Sequence, residues 1–167
     1  GSEMCIRDSY MPKKGKHGLD MMLRSCTSQV NLDFSSELDM IKKLRVSFLL
    51  QPVATALFAN SPFSDGSLNG FKSYRSEVWK DTDPDRTGIL SFIFEDDMGY
   101  EKYVDYALQV PMYFINRDGR YINFTGLTFN DFMNGDVGNE GNYFPTIDDW
   151  ELHLTTIFPE ARLKHFI

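Results

Sequence analysis

The spacing of apolar residues changes at Ser36, and this change fixes the order of the first two predicted elements. Residues 26–34 alternate: Val30, Leu32 and Phe34 share one face, and Thr27, Gln29, Asn31 and Asp33 share the other. Alternation with period two predicts a β-strand with an apolar back and a hydrogen-bonding front. From Leu38 to Phe48 the apolar residues recur at helical intervals, and Asp39 follows Ser36 at capping-box spacing. The sequence therefore predicts a strand and then a capped helix.

Residues 72–79 form a second alternating segment. One face of it carries Ser73, Arg75, Glu77 and Trp79. This pattern predicts another strand. Upstream, Pro52 has no amide hydrogen to donate, so we expect the first helix to end or kink at Gln51.

Local turn and cap signals organise the second half of the chain. Asp118-Gly119 lies between two apolar runs and predicts a β-hairpin. The other expected elements are a helix over 97–108 that Pro111 stops, strands at 112–115 and 121–124, short helices after Thr128 and Thr146, a loop over 134–145 and a strand from Arg162 to Ile167. Because these elements interleave without regular β-α-β order, the sequence predicts an α+β fold with helices packed on a mainly antiparallel sheet.

The charge of the chain excludes some classes of partner. Asp and Glu outnumber Lys and Arg by 24 to 17, which gives a formal net charge of −7. An acidic chain of this kind repels nucleic acid and anionic membranes, and no apolar run approaches the length of a membrane span, so neither is an expected partner. Two cysteines, Cys5 and Cys26, do not make a disulfide framework. They favour a reducing compartment, and we expect a cytoplasmic protein in which Cys26 is a small buried residue of the strand.

The ends of the chain suggest a piece of a larger domain. Residues 1–10 have no pattern that leads into the rest, and we expect them to be a non-native leader outside the fold. Residues 11–167 would then form one partial domain. Since the chain stops within a predicted strand, we expect it to be an internal piece.

Two features could bind a ligand. The polar face of 26–34 would line a cleft or, equally well, form an exposed face of the sheet. Arg75 lies between Tyr74 and Trp79, and a guanidinium is a natural two-pronged clamp for the carboxylate of an amino acid; the alternative is a surface ion pair with Glu77. The three histidines, His17, His153 and His165, are scattered and are expected to be surface or packing residues. No phosphate-binding glycine loop, metal-binding cysteine pair or nucleophile elbow is present in the sequence.

Several long segments resemble glutamate–cysteine ligases of the plant type and their bacterial relatives. They are residues 18–37 (GLDMMLRSCTSQVNLDFSSE), 50–63, 75–88 (RSEVWKDTDPDRTG), 103–114 and 153–164. The resemblance covers residues 11–167 in order. It implies a fold related to the catalytic domain of glutamine synthetase, in which a cupped antiparallel sheet holds ATP, Mg²⁺ and glutamate. It also implies the reaction: ATP phosphorylates the γ-carboxylate of glutamate, and the amine of cysteine then attacks the acyl phosphate.

The same resemblance implies roles for individual residues. Arg75 matches the arginine that clamps a glutamate carboxylate, with Trp79 beside it, and Gln29 and Asn31 match residues on the side of the nucleotide and magnesium. The acidic metal ligands of the family lie outside this chain, so we expect no metal ligand within it and no activity from it alone. Phe124 replaces one cysteine of a redox-active pair of the plant enzymes, so that disulfide switch is expected to be missing. Two alternatives stay open: a binding module without catalysis, and a related ligase that uses another amine.

Overall fold

The computed structural model describes residues 3–135 and 143–164. The helices are α1 (Glu3–Lys14), α2 (Gly18–Arg24), α3 (Glu37–Leu57), α4 (Tyr74–Lys80), α5 (Tyr100–Gln109), α6 (Phe129–Met133) and α7 (Ile147–Leu154), with a 3₁₀ turn at Ser91–Phe94. The strands are β1 (Phe63–Ser64), β2 (Ser67–Leu68), β3 (Thr87–Gly88), β4 (Phe114–Arg117), β5 (Arg120–Asn123) and β6 (Phe158–Pro159). The pairs β1–β2 and β4–β5 are antiparallel, and β3–β6 is parallel. This mixture of helices and small sheets agrees with the predicted α+β class.

The predicted caps and hairpin are confirmed. The Asp39 N–H donates to Ser36 Oγ at 3.2 Å, and α3 begins at the next residue, Glu37. Both Thr128 and Thr146 form complete capping boxes with the aspartate three residues on. Between β4 and β5, Asp118 and Gly119 have φ values of 51° and 75°, the left-handed pair that a type I′ turn requires. These elements form as predicted because each depends on residues close in sequence.

The strand predicted over residues 26–34 is wrong. The segment has no regular structure, and Val30 and Leu32 are 83% and 55% exposed. A strand needs a neighbouring strand to accept and donate its backbone hydrogen bonds, and no strand of the described chain pairs with this segment. Cys26 is exposed as well, which corrects the expectation that it is buried.

Three further predicted elements need correction or lie partly outside the described residues. Residues 74–80 form helix α4 instead of a strand. Pro52 lies inside α3, which continues to Leu57, so the expected helix end at Gln51 is wrong, and the alternative of a kink there stays a prediction. Residues 162–164 form no strand, and residues 165–167 lie outside the described residues, as does most of the loop predicted over 134–145.

The N-terminal segment belongs to the fold. Ile6, Tyr10 and Met11 of α1 are buried, and they pack against Tyr113 and Phe114 at the start of the β4–β5 hairpin. The expectation that residues 1–10 lie outside the fold is therefore wrong for residues 3–10. Their origin as a leader stays a prediction.

A buried ion pair contacts the apolar cluster that α1 forms with the start of the β4–β5 hairpin. Arg86 and Asp83 are fully buried, and Arg86 Nε donates to Asp83 Oδ2 at 2.7 Å. The guanidinium lies 3.7 Å from the centre of the Tyr113 ring and also donates to the backbone oxygens of Pro111 and Thr156. Burial raises the pKa of Tyr113 well above its ordinary value, so the phenol stays protonated. This network joins three distant parts of the chain, and it holds β3 beside β6.

Candidate functional site

The sequence-predicted site residues line one cleft of about 620 Å³. Its walls are residues 27–34, residues 158–164 and the side of α3 that carries Met40, Lys43, Leu44 and Ser47. Arg75 and Trp79 extend into it from α4. The structure therefore brings Gln29, Asn31, Arg75 and Trp79 to the same cavity, although the two segments that carry them are not the paired strands we expected.

Arg75 is held at this cleft by three contacts. Its backbone N–H donates to Ser61 Oγ at 3.2 Å, and its side-chain Nε donates to the backbone oxygen of Cys26 at 3.1 Å. The guanidinium carbon lies 5.3 Å from the centre of the Trp79 ring, within the range of a cation–π contact. Since Arg75 and Trp79 are four residues apart in a helix, they share a face.

The ion pair that was the alternative role for Arg75 does not form. Glu77 pairs instead with Lys80 at 3.4 Å. Within the part of the chain that the structure describes, Arg75 has no carboxylate partner, and its two terminal nitrogens donate no hydrogen bond. The guanidinium therefore keeps its two-pronged edge available for a ligand.

Trp79 connects α4 to the opposite wall of the cleft. Its ring makes an edge-on contact with Phe158, with the ring centres 6.2 Å apart. Its Nε1 is buried and has no hydrogen-bond partner among the described residues. The indole therefore packs as a support between Arg75 and residues 158–164, with one donor that the described protein leaves unused.

Gln29 and Asn31 lie on the exposed segment that closes one side of the cleft. Their apolar neighbours Val30 and Leu32 line the same cleft, so the expected separation of polar and apolar faces is wrong. Only Phe34, at the end of the segment, packs against the apolar cluster that contains Met40, Leu44 and Phe48 of α3. Residues 27–34 thus form one wall of the cleft, and both the polar and the apolar side chains of this segment line it.

Positive charge collects in the cleft. Basic residues Lys43, Arg75, Arg162 and Lys164 outnumber the acidic Asp33 and Glu160 along its walls. The whole chain, by contrast, carries a formal charge of −7. A cleft that is basic within an acidic molecule attracts an anionic ligand. Lys43 already has an acidic partner, because its ammonium donates to Asp39 at 2.8 Å and thereby lowers the pKa of that carboxyl.

The described residues do not fit a magnesium site of their own. No three histidine, cysteine, aspartate or glutamate side chains come together as metal ligands in residues 3–135 and 143–164. Mg²⁺ prefers an octahedral set of oxygen ligands that includes carboxylates, and the cleft supplies only Asp33 and Glu160. In the same residues, no helix is long and apolar enough to cross a bilayer.

The two histidines within the described residues, His17 and His153, both have partners inside the protein. His17 lies 3.0 Å from Asp20, and His153 is buried against Phe129 and Trp150. His153 Nε2 donates to the backbone oxygen of Ala107 at 2.8 Å, and burial lowers the pKa of His153 to about 4. His165 lies outside the described residues. Phe124 is buried in the core against Phe132.

Sequence reasoning missed two parts of the site. The first is the wall formed by residues 158–164, whose Arg162 and Lys164 add positive charge. The second is Ser61, which contacts the Arg75 backbone from another segment. Arg162 and Lys164 are two residues apart in the sequence, and this basic pair could have indicated a wall of an anion-binding cleft. Nothing in the sequence connects Ser61 to Arg75.

Comparison with known proteins identifies the family. The sequence profile of glutamate-cysteine ligase family 2 matches residues 4–167, and the chain belongs to this family. Over 162 residues it is 61% identical to the glutamate–cysteine ligase of Medicago truncatula, 61% to that of Brassica juncea and 60% to that of Arabidopsis thaliana. Each alignment covers 97% of this chain but only 31–32% of the relative. The chain therefore spans about a third of the length of these relatives.

The names of the relatives correct one expectation. All three are described as chloroplastic glutamate–cysteine ligases. The predicted cytoplasmic location is therefore wrong. A low number of cysteines indicates a reducing compartment, and it does not distinguish one reducing compartment from another.

Proposed function

We propose that this chain forms the glutamate-binding side of the catalytic domain of an ATP-dependent glutamate–cysteine ligase with a fold like that of glutamine synthetase. The observation that carries the proposal is the guanidinium of Arg75, supported by Trp79 and without a carboxylate partner in the described chain. Membership of the ligase family supplies the chemistry. Basic residues along the cleft support an anionic substrate there.

The proposed reaction has two steps. An oxygen of the glutamate γ-carboxylate attacks the terminal phosphorus of ATP, and ADP leaves. The amine of cysteine then attacks the γ-carbonyl carbon of the acyl phosphate, so that a peptide-like bond forms and inorganic phosphate leaves. Both substrates of the first step are anions, and cations must hold them together against their repulsion.

The residues of this chain divide that work. Arg75 binds a carboxylate of glutamate through its two terminal nitrogens, while Trp79 keeps the guanidinium plane in place. Gln29 and Asn31 contact the nucleotide from the wall formed by residues 27–34. We expect the ligands of Mg²⁺ to come from other parts of a longer polypeptide, because the described residues contain no suitable cluster. Since the relatives are named as chloroplastic, we also propose that the protein acts in plastids.

A chimeric enzyme tests the proposal. In this chimeric ligase, the present chain replaces the matching 162 residues of the Medicago truncatula protein. We expect it to form γ-glutamylcysteine from glutamate, cysteine and MgATP, with the unaltered Medicago truncatula protein as the reference. A chimera that folds, as judged by circular dichroism and gel filtration, but makes no product would contradict the proposed function.

A further inference from the structure

Ser61, which precedes α4 by more than ten residues in the chain, lies beside the first turn of this helix, the turn that carries Arg75. Three of its groups bond to the backbone there. Ser61 Oγ accepts from the Arg75 N–H at 3.2 Å, and the Ser61 backbone oxygen accepts from the Tyr74 N–H at 3.2 Å. The Ser61 N–H in turn donates to the backbone oxygen of Lys72 at 3.1 Å. A single residue thus holds the chain on both sides of the point where α4 starts.

The helix lacks a cap of its own. Its flanking residue, Ser73, makes no side-chain hydrogen bond to a first-turn N–H, and its Oγ lies 3.0 Å from Ser76 Oγ instead. The first N–H groups of any helix have no partner within the helix. In α4, the hydroxyl of Ser61 satisfies the N–H of Arg75 from a separate segment.

We propose that Ser61 is a positioning residue that sets where the guanidinium of Arg75 stands in the cleft; this inference rests on the proposed function. Arg75 is the second residue of α4, so its Cα moves with the first turn of that helix. Ser61 fixes the backbone end of Arg75, and the Cys26 oxygen and the Trp79 ring fix the other end. A two-pronged contact with a carboxylate tolerates little displacement, since misplacement of about 1 Å is costly.

The test compares variants of the chimeric ligase. Ser61→Ala removes only the hydroxyl, and we expect it to raise the glutamate KM about fivefold, the effect of losing one helix cap. The ATP KM and kcat should stay within about twofold, because the nucleotide side of the cleft is untouched. Ser61→Thr keeps the hydroxyl and should restore the glutamate KM. Ser67→Ala is the matched control, since Ser67 is an exposed serine of the adjoining hairpin.

Combination with Arg75→Lys separates positioning from general stability. If Ser61 acts through Arg75, Ser61→Ala should raise the glutamate KM much less in the Arg75→Lys background than alone. Equal effects in both backgrounds would overturn the inference, as would an unchanged glutamate KM in Ser61→Ala with a lowered melting temperature. Should Ser61→Ala not fold, Ser61→Cys offers the second variant, with a weakly accepting thiol in place of the hydroxyl and a rise of KM in the same direction.

The two proposals fail in different ways. An unchanged glutamate KM in Arg75→Lys would remove the proposed clamp, and the role of Ser61 with it. A raised glutamate KM in Arg75→Lys together with an unchanged value in Ser61→Ala would leave the clamp in place and overturn the role of Ser61 alone.

Discussion

The guanidinium carbon of Arg75 lies 5.3 Å from the centre of the Trp79 ring, one helical turn further along α4. An arginine that packs over an indole loses some of its side-chain freedom before any ligand arrives, so less is lost on binding. Trp79 in turn contacts Phe158 on the other wall of the cleft. The placement of Arg75 therefore depends on both α4 and β6.

The isolated chain should be inactive. The described residues contain no cluster of three metal-ligating side chains, and the proposed reaction needs phosphate charge to be neutralised. We expect no γ-glutamylcysteine from glutamate, cysteine and MgATP when the 167-residue chain is assayed beside the chimeric ligase. Product above a blank without enzyme would mean that this chain completes a metal site by itself.

The outer face of α3 should make the isolated chain associate. We define this face as Val46, Leu49, Leu50, Val53 and Leu57, which are 52–73% exposed and lie along one side of the helix. Contiguous exposed apolar surface drives self-association and dye binding. The isolated chain should therefore enhance the fluorescence of a hydrophobic dye and elute as more than a monomer.

Substitutions on this face provide the control. The double change Leu50→Lys and Val53→Lys should reduce the dye signal and the association. Leu68→Lys, on the β1–β2 hairpin, should change them little, although Leu68 is 76% exposed. A monomeric wild-type chain without dye binding would show that the outer face of α3 is too small or too polar to have this effect.

The Asp83–Arg86 pair should contribute strongly to stability. Asp83→Asn leaves the fully buried guanidinium of Arg86 without its counter-charge, and breaking a buried pair of this kind costs about 3–5 kcal/mol. The melting temperature of the chimeric ligase should fall by several degrees. Asp85→Asn is the matched control, since Asp85 pairs with Lys14 in a partly exposed position, where such a pair contributes about 0–1 kcal/mol. Equal melting temperatures for the two variants would contradict this account.

His153 should make the protein less stable in mild acid. Burial lowers its pKa from the ordinary 6.5 to about 4, so between these values the unfolded chain binds a proton that the folded chain does not. Folding stability is therefore lost as pH falls from about 6.5 towards 4, by up to about 1.4 kcal/mol per pH unit. The chimeric ligase should melt at a lower temperature at pH 5 than at pH 7, and His153→Gln should reduce that difference. A difference of the same size in His153→Gln would show that other groups cause it.

Local signals were enough to predict part of this fold. Ser36, Thr128 and Thr146 cap helices through partners three residues away, and the Asp118-Gly119 turn needs only its own backbone conformation. Patterns that depend on distant partners failed. Residues 26–34 alternate as a strand would, but alternation supplies no neighbouring strand to pair with.

The site residues divide in the same way, into those that a local pattern predicts and those that depend on distant partners. Arg75 and Trp79 are an even number of residues apart, as a strand face requires, and also four apart, as a helix face requires; a segment as short as α4 fits both periods. Their proximity was therefore predictable, whereas the helix was not. Residues 158–164 reach the cleft, and Ser61 reaches the Arg75 backbone, only through tertiary contacts, which no local pattern reveals.

The glutamate KM of Arg75→Lys in the chimeric ligase tests the central claim most directly. Lysine keeps the positive charge but loses the planar two-pronged contact, and loss of one charge-assisted contact costs about 1.5–3 kcal/mol. We predict that the glutamate KM rises about 10- to 100-fold, while the ATP KM changes far less. Arg120→Lys, at an exposed arginine of the β4–β5 hairpin, serves as the control and should leave both values unchanged. A glutamate KM within about twofold of the unsubstituted chimera would contradict the account, because Arg75 would then bind no substrate carboxylate.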